Sequence, residues 1–187
     1  MSPDTLAALA LSNPVNRAVL ERLPALGLPQ AHLVAGCVYQ AVWNHRSGLP
    51  ADHGVKDYDV FYFDPDTSYG AEDRAIRAAE ALYADLGAVV EVRNQARVHL
   101  WYEGRFGRPY PALTSARDGI DRFLVACTCV GVTPDGRGGV GEVYAPYGLD
   151  ELWDGVLRPN PAIDNPPRLT EKLASYRARW PWLTVVA

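Results

Sequence analysis

The sequence lacks the features that mark several classes of protein. Only three of its 187 residues are cysteine, which is too few for the disulfide framework of a secreted domain and predicts reduced thiols. No apolar run approaches the roughly 20 residues of a membrane span, and the N-terminus has no basic start of the kind that opens a secretory signal. We therefore expect a cytoplasmic protein with no membrane partner.

An excess of positive charge is also lacking. The 18 Lys and Arg residues against 22 Asp and Glu residues give a formal net charge of -4, so there is no strong nucleic-acid signal. Cys127 and Cys129 lie in an apolar run with no second cysteine pair to complete a zinc site, and we predict buried thiols there. Apolar residues make up 48% of the chain, which suits a single globular domain over residues 1–187.

Hydrophobic spacing and turn residues predict alternating helices and strands. The predicted helices are Pro14–Leu23, Val38–Asn44, Ala71–Leu86, Gly119–Val130 and Thr170–Trp180. The predicted strands are His32–Val34, Lys56–Asp64 and Ala88–Asn94, with Val98–Tyr102 as an extension or a further strand. Loops are predicted over Gly131–Gly141 and Arg158–Pro167. This order indicates an α/β or α+β domain built on one sheet.

Two carboxylates at the start of the strand Lys56–Asp64 carry the main chemical prediction. Residues two apart on a strand point to the same side, so Asp57 and Asp59 share a face. Their mutual repulsion is relieved by a hard divalent cation such as Mg²⁺, and Glu91 on the strand Ala88–Asn94 could join them. Such a cluster suits phosphoryl or nucleotidyl transfer, with Glu91 as a metal ligand or a proton acceptor. Spacing alone equally permits acidic residues that only protect a strand edge.

Other residues could complete a phosphate site. Gly36 ends an apolar strand just before a helix, where free amides and the helix dipole can receive a phosphate, although an ordinary tight turn also fits. Arg93, Arg97 and His99 alternate after Glu91 and could supply cations or form a solvated face. A stripe on the last helix contains Lys172, Tyr176 and Arg179, for which packing of Tyr176 with Trp180 is the alternative.

Six runs of the sequence resemble a known family. They are LVAGCVYQAVWN, KDYDVFYFD, VVEVRNQARVHLWY, DGIDRFL, YAPYGLDELWDGVLRPNP and YRARWPWL. They look like the bacterial nucleotidyltransferase family once known only as a domain of unknown function, and the resemblance extends from about Asn13 to Leu183. That family belongs to the polymerase-beta-like nucleotidyltransferase superfamily. The resemblance implies a nucleotidyltransferase-type mixed β-sheet flanked by helices, with a C-terminal helical region.

The superfamily signature is a Gly-Ser turn, a D-x-D or D-x-E strand and a later acidic strand residue. The resemblance assigns Gly36 to the turn, Asp57 and Asp59 to the metal ligands and Glu91 to the third acid. Cys37 stands in place of the serine, so the backbone amide is kept and the hydroxyl contact becomes a poor thiol one. The gap before Asp57 is also long, with Ser47–Gly54 as an inserted loop. The residues expected to bind the nucleotide are Gly36, Cys37, Lys56, Arg93 and Lys172.

The sequence thus predicts a nucleotidyltransferase that depends on Mg²⁺ or Mn²⁺. It would move an NMP from an NTP to a hydroxyl of an unidentified acceptor, which could be a small molecule, a protein or RNA. Two alternatives stay open. One is a noncatalytic module of the same fold that binds a nucleotide or a partner, and the other is a metal-dependent phosphohydrolase with water as the acceptor.

Overall fold

A computed structural model describes residues 1–164, 166 and 168–186. The helices are α1 Pro3–Ser12, α2 Pro14–Arg22, α3 Gly36–Arg46, α4 Tyr69–Leu82, α5 Val98–Phe106, α6 Ala116–Ile120, α7 Asp150–Asp154 and α8 Leu169–Arg179. The strands are β1 His32–Val34, β2 Asp57–Tyr62, β3 Val89–Asn94, β4 Gly131–Pro134, β5 Val140–Tyr144, β6 Val156–Leu157 and β7 Thr184–Val185. Among the described residues, no helix combines the length and apolar composition of a membrane span.

The main sheet has five strands in the order β3-β2-β1-β4-β5. β1 is antiparallel to both β2 and β4, and β4 is antiparallel to β5. The pair β2 and β3 is parallel, because α4 carries the chain back between them. A separate short sheet pairs β6 with β7. The predicted mixed sheet flanked by helices is confirmed.

The two faces of β2 have different neighbours. Tyr58, Val60 and Tyr62 point into the main hydrophobic core, where each is at most 4% exposed. On the opposite face Phe61 packs against Phe123 with 5.7 Å between ring centroids. This contact covers the far end of the second face, whereas Asp57 at the beginning of β2 stays exposed. The acidic end of β2 is therefore the open end.

The C-terminal helix α8 packs on α3 through aromatic side chains. The hydroxyl groups of Tyr39 and Tyr176 share a hydrogen bond of 2.6 Å in the interior. The ring of Trp43 lies 5.0 Å from Tyr176 and 5.2 Å from Trp180, and the indole N–H of Trp180 donates to Asn44. Packing of Tyr176 with Trp180, one of the two interpretations of this helix, is thus present. The cluster sets the position of the remaining α8 side chains.

One predicted strand is a helix in the structure. Val98–Tyr102 lies at the start of α5, which runs to Phe106 and ends at Gly107 with a left-handed φ of 67°. The side chain of Asn94 ends β3 by accepting a hydrogen bond from the amide of Ala96. This turn directs the chain out of the sheet, so the apolar residues that follow continue as a helix.

Two other predicted segments are shorter or more regular than expected. In place of a helix over Gly119–Val130, the structure has α6 and, further on, a single 3-10 turn at Ala126–Thr128. The residues from 125 to 130 are all buried, so tertiary packing and not helical amphipathicity explains their apolar character. The predicted loop Gly131–Gly141 is largely the β4–β5 hairpin. Residues 165 and 167 of the predicted loop Arg158–Pro167 lie outside the described residues.

Candidate functional site

A cleft of about 370 Å³ opens where α3 begins, beside the start of β2 and one side of α8. It is lined by Ala35, Gly36, Tyr39, Gln40, Gly54, Lys56, Asp57, Asp59, Lys172, Ser175 and Arg179. Six residues singled out from the sequence for the site meet here: Gly36, Lys56, Asp57, Asp59, Lys172 and Arg179. The cleft therefore combines residues that are as much as 144 positions apart in the chain, from Ala35 to Arg179.

Strand register places the third acid beside the first two. Asp59 is paired with Val34 of β1 on one side and with Glu91 of β3 on the other. Paired residues of neighbouring strands point to the same face, so Glu91 shares the face of Asp57 and Asp59. The carboxylate of Glu91 accepts a hydrogen bond of 2.9 Å from Arg93, and both side chains are 40% exposed. Neither of them is among the described residues that line the cleft.

Asp59 is the most perturbed carboxyl group of the cluster. Burial raises its pKa to about 7, and the negative charges of Asp57 and Glu91 raise it too. Arg93 and Lys172 act in the opposite direction without cancelling the effect. A carboxylate whose ionised form is destabilised in this way is stabilised when a cation binds. Oxygen ligands of this kind are those that Mg²⁺ and Mn²⁺ prefer.

The fit to a divalent cation rests on Asp57 and Asp59 alone. They stand on one face of β2, two residues apart, with the cleft in front of them. In the described part of the chain, no three His, Cys, Asp or Glu side chains are arranged as they stand to hold a metal ion. The ion pair of Glu91 with Arg93 explains why the third acid does not complete such a group.

The beginning of α3 forms one end of the cleft. The helix starts at Gly36, and the preceding Ala35 has a φ of 62° and a ψ of -143°. The first amides of a helix have no acceptor inside it, and the side chain of alanine has no oxygen to cap them. A Cβ atom on Gly36 would lie 2.5 Å from Nε2, the side-chain amide nitrogen of Gln40. Glycine therefore makes room for the Gln40 side chain beside the helix start, and the positive φ of Ala35 is backbone strain located at the cleft.

The side chain of Cys37 does not face this end. It is fully buried in the core, and its thiol donates to the carbonyl oxygen of Val34 at 3.1 Å. Burial raises the pKa of this thiol well above its usual value, so it stays protonated. Of the two phosphate contacts considered for Cys37, only the one from the backbone amide remains available. The thiol contact is excluded because the Cβ of Cys37 points into the core.

Three cations line the cleft: Lys56, Lys172 and Arg179. Arg179 donates to the side-chain oxygen of Gln40 at 3.3 Å, and its guanidinium carbon lies 4.4 Å from the centre of the Trp180 ring. The pKa of Lys172 is lowered, because desolvation and the charge of Arg179 outweigh the opposing effect of Asp59 and Asp57. Gln40 was missed by sequence reasoning, although its position four residues after Gly36 on one helix was a usable signal.

The remaining candidates lie elsewhere. Arg97 forms an ion pair of 2.8 Å with Glu72, because β3 ends before it and α5 turns away. Arg93 pairs with Glu91 outside the cleft, and its charge acts on Asp59 by lowering the pKa of that carboxyl group. The predicted thiols of Cys127 and Cys129 are buried, and burial raises the pKa of each to about 12.

Comparison with known proteins agrees with this arrangement. The profile of a family described as nucleotidyltransferase matches residues 21–185. A structure solved by NMR, and described as revealing a CCA-adding enzyme head domain, superposes with a TM-score of 0.75 and 26% sequence identity. The superposition covers 99% of this chain and 96% of the other. No curated protein matches the chain. With the match extending over most of its length, the chain belongs to the nucleotidyltransferase family.

Proposed function

We propose that the cleft binds an NTP together with Mg²⁺ or Mn²⁺ and transfers the nucleoside monophosphate to a hydroxyl of an acceptor, with release of pyrophosphate. The observation that carries the proposal is the meeting of Asp57 and Asp59 with the start of α3 in one cleft. Nucleotidyl transfer needs these two kinds of group side by side, because the triphosphate must be held while charge develops at the α-phosphate.

The start of α3 and the cations of the cleft would hold the triphosphate. The amides of Gly36 and Cys37 and the positive end of the helix dipole attract phosphate oxygens. Lys56 and Arg179 add positive charge from two other elements. Because Arg179 already donates to Gln40, its guanidinium is oriented before the nucleotide arrives. The cleft thus favours the anionic end of an NTP.

Asp57 and Asp59 would hold the cation. When bound, a divalent ion neutralises phosphate oxygens and lowers the pKa of an attacking hydroxyl. Glu91, next to Asp59 in the register, is then in position to join the cluster or to accept the proton of the hydroxyl. Either role requires Glu91 to leave Arg93, and the exposure of both side chains permits that rearrangement. Glu91 would thus stay paired with Arg93 until the substrates bind.

The test measures labelled pyrophosphate released from each NTP, with Mg²⁺ or Mn²⁺ and pools of hydroxyl acceptors. Asp57→Asn and Asp59→Asn should each lower the rate by about 100-fold or more. Asp52→Asn, in the exposed turn before β2, is the matched control and should retain the wild-type rate. Transfer that survives both substitutions contradicts the proposal. Release of inorganic phosphate would identify a phosphohydrolase, and nucleotide binding without turnover would identify a noncatalytic module.

A further inference from the structure

A second cavity, of about 440 Å³, adjoins the cleft. The two cavities share Lys172 and Ser175, so they meet along α8. Beyond them a third cavity, of about 500 Å³, shares Tyr102 and Leu124 with the second and extends to Arg122. The second and third cavities lie on either side of these shared residues, and together we call them the Tyr102 groove. It leads away from the carboxylates of the cleft.

We propose that the Tyr102 groove binds the acceptor, and that the acceptor is an elongated molecule with a planar aromatic ring and an anionic group beyond the ring. This inference rests on the proposed transfer reaction, since it assigns the second substrate. The reacting hydroxyl would lie near Lys172 and Ser175, where the groove meets the cleft. The ring and the anionic group would lie successively farther from Asp57 and Asp59.

The ring site is an aromatic cluster already in place. The ring of Tyr102 lies 4.6 Å from that of Phe106 and 4.3 Å from that of Tyr110, between ring centroids. Phe106 is nevertheless 38% exposed at the end of α5. Aromatic side chains held together at a groove offer a surface on which a planar ring can stack, and such contacts tolerate many ring types. Leu124 completes the apolar floor.

The anion site is at the far end of the groove. The guanidinium carbon of Arg122 lies 4.7 Å from the centre of the Tyr110 ring. Its Nε atom is buried and has no hydrogen-bond partner among the described residues. A buried donor without an acceptor destabilises a protein, and a ligand carboxylate or phosphate would supply the missing partner. At the near end, in contrast, Arg168 is already paired with Glu171 at 3.0 Å.

The length of the groove favours an acceptor over the base of the NTP itself. The groove continues past Tyr102 into a third cavity, which is lined by the cationic groups of Arg108 and Arg122. An occupant that uses the whole groove therefore extends beyond one ring. A transfer reaction also needs two binding sites that meet at the reacting atoms, which the shared Lys172 and Ser175 provide.

Calorimetric titrations with small probes test the inference. The cleft is first saturated with Mg²⁺ and inorganic tripolyphosphate. AMP, which has a ring and an anion, should then bind more tightly than adenosine, which lacks the anion, or glycerol 3-phosphate, which lacks the ring. Phe106→Ala should weaken AMP binding about tenfold, and Arg122→Gln should remove the preference for AMP over adenosine. Leu100→Ala is the matched control, because Leu100 is 57% exposed on the same helix and is not among the described residues that line the groove.

Three results would overturn the inference. The first is the absence of AMP binding, and the second is AMP binding that neither Phe106→Ala nor Arg122→Gln weakens. The third is a loss of ATP affinity in Phe106→Ala without a loss of tripolyphosphate affinity, because the ring in the groove would then belong to the NTP. A wild-type protein that binds AMP through Phe106 but does not bind tripolyphosphate would instead contradict the proposed function. The two failures are therefore distinguishable.

Discussion

Asp59 occupies the position where the strands of the sheet bring most negative charge together. It is paired with Glu91 on the neighbouring strand β3, follows Asp57 by two residues and is only partly exposed. Its pKa is raised from 3.8 to about 7, with burial as the largest cause. Near neutral pH and without a cation, the folded protein therefore carries a carboxyl group whose ionisation it opposes. A residue of this kind serves ligand binding at the expense of stability.

Replacing Asp59 should therefore stabilise the protein in the absence of a cation. In a chelating buffer near pH 8, Asp59→Asn is expected to raise the free energy of unfolding by roughly 1–2 kcal/mol, after allowance for partial solvent exposure. Because the pKa of Asp59 is higher in the folded state, the stability that it contributes is greatest below its unfolded pKa and is lost as the pH rises through about 7. The advantage of the variant should thus be larger near pH 8 than near pH 5.

Urea unfolding across this pH range measures the effect. Asp52→Asn, in an exposed turn, should leave the free energy of unfolding nearly unchanged at both ends of the range. An Asp59→Asn variant that is less stable than the wild type near pH 8 would contradict this account of the carboxylate cluster.

At this scale the sequence predicts some parts of the site and not others. Strand alternation alone places Asp57 and Asp59 on one face, because that depends only on local geometry. The neighbour of Asp59 across the sheet depends on the parallel register of β2 and β3, which the spacing within one strand does not fix. Alternation also puts Glu91 and Arg93 on one face, but it does not reveal that they pair. The burial of the Cys37 thiol follows from how α3 packs, which no spacing shows.

Among the elements, α6 shows how a short helix is fixed by its first turn. The amide of Asp118 donates to the hydroxyl of Ser115 at 3.2 Å, and the hydroxyl and amide of Ser115 donate to the carboxylate of Asp118. Thr114 adds two further donors to the same carboxylate. Desolvation raises the pKa of Asp118, but the hydrogen bonds from Ser115 and Thr114 outweigh it, so the pKa is lowered. Ser115 and Asp118 thus form a reciprocal capping box at the start of α6.

Breaking this cap should cost a measurable part of the stability. Ser115→Ala is expected to lower the free energy of unfolding by about 1 kcal/mol at neutral pH, because the amide of Asp118 loses its acceptor. Ser12→Ala, at the end of α1, removes only a bond back to the carbonyl of Leu9 and should cost less. Thermal unfolding followed by circular dichroism measures both. Equal losses in the two variants would contradict a specific role for the cap.

The pH dependence gives a second observation on the same element. Because the pKa of Asp118 is lowered by folding, its contribution to stability is present above the unfolded pKa and is lost as the pH falls through the folded one. The difference between wild type and Asp118→Asn should therefore shrink below about pH 4. A difference that grows in acid would show that the carboxylate is not stabilised by these hydrogen bonds.

Elements were predictable where local pattern and tertiary packing agree. β1 has the predicted bounds, and β2, β3, α4 and α8 differ from prediction mainly at their ends. The strand predicted over Val98–Tyr102 was wrong because a short apolar segment with one polar residue fits either a strand or a buried helix. The helix forms because the chain turns at Asn94, whose side chain accepts a hydrogen bond from the amide of Ala96. The segment before β4 is buried on all sides, so it carries no periodic signal.

On the scale of the whole molecule, the cleft depends on how the C-terminal helix returns to the sheet domain. α8 contributes Lys172, Ser175 and Arg179 to the cleft, whereas the acids and the start of α3 come from the N-terminal part of the chain. The buried rings of Tyr176 and Trp180 hold α8 on α3. Lys172 and Arg179 therefore face the carboxylates only while this aromatic contact persists. We therefore expect stability and the proposed substrate binding to be coupled through it.

Removing the central ring of this contact should affect both properties. Tyr176→Ala is expected to lower the free energy of unfolding by about 3–5 kcal/mol, because it leaves a cavity between two helices. Tyr176→Phe should cost only about 1 kcal/mol, since it keeps the ring and removes the hydrogen bond to Tyr39. Tyr69→Ala is the control, as Tyr69 is 77% exposed. Its substitution should change the free energy of unfolding by less than about 0.5 kcal/mol.

Hydrogen exchange shows where the loss occurs. In Tyr176→Ala the amides of α8 should exchange faster than those of β2, because the helix loses its contact with α3 while the sheet keeps its own core. The same variant should bind Mg²⁺ and tripolyphosphate more weakly than Tyr176→Phe does, because Lys172 and Arg179 are no longer held at the cleft. Equal acceleration of exchange in α8 and β2 would mean that the chain unfolds as one unit. The cleft would then have no separate dependence on the docking of α8.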